Sequence, residues 1–100
     1  MMLPTAHEVA QDLAELHEME FGGKRRGRMR IARARLRELS KRGRLEESFL
    51  QQLAAEVLER GLVLIDLDDY FALIQAKVMR RHRSVTKTVV KRFLAQKESA

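Results

Sequence analysis

The chain has no cysteine and no tryptophan, and its 100 residues include one tyrosine, one proline and five glycines. Without cysteine there is no disulfide, no thiolate zinc site and no cysteine nucleophile. That fits a reducing compartment, and a cytoplasmic location is expected. With aromatics at only 5%, the core has to be aliphatic, built from Leu, Val, Ile, Ala and Met. Apolar runs such as Leu62–Ile65 are far too short to span a bilayer, so no membrane partner is expected. The N-terminus shows neither a basic segment nor an apolar one behind it, and no signal peptide is expected. No internal repeat is present.

Charge of one sign is also missing from whole segments. Residues 1–23 carry five acids and no Lys or Arg, and residues 24–44 carry eleven Lys/Arg against Glu38 alone. Residues 45–76 carry seven acids against Arg60, residues 77–97 carry eight Lys/Arg and no acid, and the formal net charge is +6. Cationic tracts of this density repel themselves unless something anionic lies across them. The commonest such partner is a nucleic-acid backbone. Nine arginines fall within Arg25–Arg44, and arginine suits the forked geometry of a phosphate better than lysine does. Two other readings of the same tracts are a solvated surface and a protein partner met through opposite-charge faces.

At 100 residues the chain is expected to form a single domain, residues 1–100, with 97–100 a frayed tail. Thr5 followed by Glu8 forms a capping-box signature, and Ala6, Val9, Ala10, Leu13 and Leu16 continue at helical spacing until Gly22-Gly23. Arg28-Met29-Arg30-Ile31 alternates and is compatible with a short strand. A second helix is expected over about 31–41, ended by Gly43, with Arg30, Arg33, Arg37 and Lys41 along its outer face. A third runs from near Leu45 to Arg60-Gly61 with a wide apolar stripe of Leu45, Phe49, Leu50, Leu53, Ala54, Val57 and Leu58. Leu62–Leu67 and Tyr70–Gln75 flank Asp68-Asp69 and read as a hairpin, against a rival helix from Asp66 onward. A tight turn there pairs Leu62 with Gln75 and leaves Asp66 beside Phe71. Ser84 is the expected cap of a last helix. The fold class is therefore α+β, mostly helical, with four helices and a two-stranded hairpin.

This order of helix, short strand, helix, helix, hairpin and helix resembles the winged-helix group of helix-turn-helix DNA-binding proteins, over about residues 5–76. The resemblance implies a third helix in the major groove. Here that helix carries Glu46, Glu47, Glu56 and Glu59, and only Arg44, Gln51 and Gln52 suit base edges. The expected DNA face therefore moves to the second and last helices. Arg26, Arg28, Arg30, Arg33, Arg37, Lys41 and Arg44 are the first candidate nucleic-acid-binding set, and Arg80, Arg81, Arg83, Lys87 and Lys91 the second. Double-stranded DNA is the expected partner, for a transcriptional regulator or an accessory factor. Pairing of two copies is the usual arrangement for such binders. The stretch Arg30–Arg44 followed by Phe71-Ala72-Leu73-Ile74 is loosely similar to small accessory proteins of bacterial mobile elements.

Asp66 and Asp68 at the end of one strand, with Gln75-Ala76-Lys77 at the end of the next, resemble the metal site of Mrr-type restriction-endonuclease-like nucleases over residues 49–95. That likeness implies Mg²⁺ held by an acid and a side-chain oxygen, Lys77 positioning water, and Glu56 or Glu59 completing the set. The same turn geometry keeps Asp66 away from Gln75, so no catalytic residue, metal or cofactor is expected. His7, His17 and His82 share no metal-binding spacing; His7 and His17 are expected on surfaces or helix faces, and His82 sits among Arg80, Arg81 and Arg83, where it could meet a phosphate. No small-molecule substrate is indicated.

Overall fold

A computed structural model describes residues 2–20 and 22–99. It is α+β and about half helical. The elements are α1 (Ala6–Glu18), β1 (Met29–Ala32), α2 (Arg33–Ser40), α3 (Glu47–Glu59), β2 (Leu62–Asp66), β3 (Tyr70–Gln75), α4 (Ala76–Met79) and α5 (Lys87–Glu98).

α1 starts as a reciprocal capping box. The Glu8 amide donates to Thr5 Oγ1 at 3.1 Å, and the Thr5 amide donates to the Glu8 carboxylate at 3.0 Å. These bonds, the backbone one first, lower the Glu8 pKa. The helix ends at Glu18, with Met19 as its extended C-cap, before Gly22-Gly23 is reached. α2 does not wait for Gly43 either. Lys41 takes the left-handed conformation at φ 55° and closes the helix, and the Arg42 amide donates back to Arg37 O at 3.0 Å. α4 is one short turn after β3, and it makes five helices among the described residues where four were expected.

The hairpin forms with the expected register, Leu62 opposite Gln75 and Asp66 opposite Phe71, which excludes the helix from Asp66 onward. Asp68 turns the chain at φ 72°, a conformation Asp tolerates better than most residues. Its amide donates to Asp66 Oδ1 at 2.9 Å. The expected two-stranded hairpin is part of a larger sheet. Met29–Ala32 adds to the free edge of β3, Met29 opposite Leu73 and Ala32 opposite Tyr70, so the antiparallel order is β1-β3-β2. A polar outward residue, Arg30, between two inward apolar ones is enough to fill that edge.

The core lies between α1, α2, α3 and one face of the sheet. Val9, Leu13, Leu36, Leu53, Val57, Phe71 and Leu73 are fully or almost fully buried. Leu58, expected in the α3 stripe, is 57% exposed. His17, expected on a surface or a helix face, lies on the inner face of α1 and is buried, its Nε2 without a hydrogen-bond partner among the described residues. The opposite sheet face carries Val63, Ile65, Ala72, Ile74 and Tyr70, all half-buried. None of these belongs to the core cluster or packs on it.

α5 differs from every other long helix in burying no residue. Thr86, not Ser84, caps it, accepting from the Val89 amide at 3.2 Å. The helix continues to Glu98, and Ser99 Oγ donates to Ala95 O at 3.0 Å; Ala100 lies outside the described residues.

Candidate nucleic-acid interface

The first cationic tract divides into side chains that hold the fold and side chains that face outward. Arg33 is the clearest of the first kind. At the start of α2 its Nη1 donates to Asp66 Oδ1 at 3.0 Å and to Asp68 O at 2.8 Å. Its guanidinium lies over the Phe71 ring at 4.9 Å. The Asp66 carboxyl titrates below its ordinary value, chiefly because it accepts the Asp68 amide and then because Arg33 faces it. Arg33 therefore pins the hairpin tip to α2 and is engaged inside the fold. Arg42 is used similarly, donating to Pro4 O at 2.7 Å and stacking on Phe49 at 3.8 Å. Arg26 reaches Glu18 at 2.6 Å, Arg35 reaches Glu38 at 3.0 Å and Arg25 reaches Glu20 at 3.9 Å.

The outward set is Arg28, Arg30, Arg37, Lys41 and Arg44. Among the described residues none of these pairs with a carboxylate. Arg30 projects from the outer sheet face, 5.6 Å from the Tyr70 ring centroid. Arg30, Arg33, Arg37 and Lys41 do not form one helical row, because Arg30 is in a strand, Arg33 is tied inward and Lys41 sits beyond the end of α2.

The turn between α2 and α3 gathers the rest. Arg44 lies between two open grooves. One, about 800 Å³, is lined in part by Arg33, Arg44, Glu46, Glu47, Gln51 and Asp66. The other, about 510 Å³, includes Lys41, Arg44, Ser48 and Gln52. The α2–α3 turn and the first half of α3 thus present Arg44, Ser48, Gln51 and Gln52 to solvent beside Glu46 and Glu47. Its second pair of acids lies elsewhere. Glu56 is bonded by Arg60 and His7, both at 3.2 Å, which lowers its pKa, the Arg60 bond first. Glu59 is exposed in the last turn. Sequence reasoning missed this division of α3 into two ends, although the four residues between Gln51 and Glu56 encode it.

In the second tract Arg80, Arg81, Arg83, Lys87 and Lys91 are all exposed. Among the described residues none of them meets a carboxylate. His82 turns inward to the carbonyls of Val78 and Met79 at 3.2 Å.

The four residues of the nuclease-like pattern do not converge. Asp66 is opposite Phe71, whereas Gln75 is opposite Leu62 at the other end of the hairpin. Four residue steps along the strand separate them, roughly 13 Å at the usual rise. Lys77 lies in α4 beyond Gln75, and Asp66 already holds Arg33. Among the described residues no three His, Asp or Glu side chains are placed to hold a metal ion. No described helix is long and apolar enough to cross a membrane. The chain matches no known protein family, no curated protein and no solved structure.

Proposed function

We propose that the chain is a non-catalytic DNA-binding protein, a transcriptional regulator or an accessory factor, that grips the phosphates of a duplex. One observation carries this reading. The cations at the α2–α3 turn and along residues 80–97, together with Arg28, Arg30 and Arg37, have no internal carboxylate partner among the described residues, while Arg25, Arg26, Arg33 and Arg35 do. Unpaired arginines and lysines in such numbers attract a polyanion and release its condensed counterions. The order α1–β1–α2–α3–β2–β3 resembles a winged helix and supports the same reading. Arg44, Ser48, Gln51 and Gln52 then stand where base edges are read, and the α5 arm adds backbone contacts.

The test is duplex affinity across a salt series for two triple variants. Arg80, Arg81 and Arg83 replaced by Ala should weaken binding to all sequences alike and flatten the log–log salt slope by roughly 0.9 per lost phosphate contact. Arg25, Arg26 and Arg35 replaced by Ala should change it far less, because each already faces a carboxylate. No duplex binding by the native protein at low salt would remove the proposal, as would equal losses in both variants.

A further inference from the structure

We infer that two copies of this chain associate by exchanging their C-terminal arms, each α5 lying on the outer sheet face of the other copy. The inference does not depend on nucleic-acid binding. It starts from two apolar faces that lack a partner in their own chain. On α5, Val89, Val90, Phe93 and Leu94 form one stripe and are 40%, 42%, 60% and 50% exposed. On the sheet, Val63 and Ile65 of β2 lie beside Ile74 and Ala72 of β3, on the side away from the core. A face of β-branched residues on paired strands is what a covering helix packs on in layered α+β folds.

The two faces match in length and in charge. The twelve residues of α5 give a helix of about 18 Å. The six residues of β3 give a strand of about 20 Å. α5 is flanked by Lys87, Lys91, Arg92 and Lys97, with Glu98 its one acid. Pairing α5 with a second α5 sets like charges side by side. The hairpin at the end of the sheet instead offers Asp68 and Asp69, both exposed and, among the described residues, without a cationic partner. Arg30 stands on the same sheet face, on the β1 side over Tyr70. It leaves to the helix the apolar stretch of β2 and β3 formed by Val63, Ile65, Ala72 and Ile74.

The arm is also held away from its own body. The radius of gyration is 17.4 Å, against about 13 Å for a compact chain of this length. An exchange of identical arms is a common route to a closed two-fold dimer.

Sedimentation equilibrium on nuclease-treated protein at high salt tests the pairing without a nucleic-acid bridge. The native chain should show twice its 11.6 kDa mass. Phe93→Asp and Ile74→Asp should each return it to one copy with the circular dichroism of a folded chain. Phe93 is 60% exposed on a helix that buries no residue, so that variant carries the test alone if the Ile74 variant unfolds. Because the chain has no cysteine, Phe93→Cys and Ile74→Cys in separately tagged copies report the geometry. Mixed copies should form the heterodisulfide in preference to a Phe93→Cys homodisulfide. A native monomer, a dimer indifferent to Phe93→Asp, or a dominant α5–α5 homodisulfide would each overturn the inference. So would a double-cysteine chain that closes on itself as a monomer.

Discussion

Residues 24–44 and residues 77–97 are both strongly cationic, yet their side chains meet different surroundings. In the first segment Arg25, Arg26, Arg33 and Arg35 face carboxylates, and Arg42 is held by carbonyls and an aromatic ring. In the second, Arg80, Arg81, Arg83, Lys87, Lys91 and Arg92 project from a turn and a helix with no carboxylate beside them among the described residues. Charge density alone does not separate an arginine engaged in the fold from one that faces solvent. What separates them is whether the fold supplies an acid, a carbonyl or an aromatic ring within reach.

Apolar residues show the same contrast more strongly, and substitution there has the largest expected effect. Phe71 is 1% exposed in the central strand, and Phe93 is 60% exposed on the arm. Phe71→Ala should lower stability by about 3–5 kcal/mol, through lost burial and the cavity left behind. Phe93→Ala in dilute protein should change it by no more than about 0.5 kcal/mol. Urea denaturation of both variants checks this. A large loss for Phe93→Ala in the monomer would mean that α5 packs on its own body.

The hairpin pin comes next. Arg33→Ala removes two hydrogen bonds from a charged donor, and the stability lost should be about 1–2 kcal/mol. That figure already allows for screening, because the Asp66 side chain is 48% exposed. The pH dependence has a definite sign. Asp66 titrates below its ordinary 3.8 when folded, so its contribution is complete above that value and fades as pH falls through the lower folded one. Asp66→Asn should flatten the acid limb of the stability curve in that window.

Much of this was legible in the chain. The Thr5–Glu8 box announces α1, and two apolar runs around Asp68-Asp69 allow one tight register, which is the one observed. The third strand was visible only as the alternation at Met29–Ile31, because pairing with β3 across about forty residues leaves no local mark. The role of Arg33 was hidden for the same reason, since its partner Asp66 is 33 positions away. The cap of α5 was misread because Ser84 and Thr86 are both good capping types. Thr86 prevails in placing its hydroxyl at the Val89 amide. The left-handed Lys41 was unreadable because Gly43 two residues later is the usual signal for such an end.

The two helix caps give the smallest effect and the finest comparison. Thr5 and Thr86 each accept one amide hydrogen bond three residues on, at 3.1 and 3.2 Å, and replacing such a cap by Ala typically costs about 1 kcal/mol. The helices they start are held differently, since α1 buries Ala6, Val9, Ala10, Leu13 and His17 while α5 buries nothing. Thr5→Ala should therefore lower the global unfolding free energy by about that amount, because α1 unfolds only with the core. Thr86→Ala in dilute protein should leave the global transition where it is. It should instead lose helical signal and amide protection over residues 87–98 alone, since a twelve-residue helix without packing is marginal in water. Amide hydrogen exchange resolved by residue reads both effects in one experiment. Equal global shifts for the two variants would show that the arm unfolds with the body, and would erase the distinction between them.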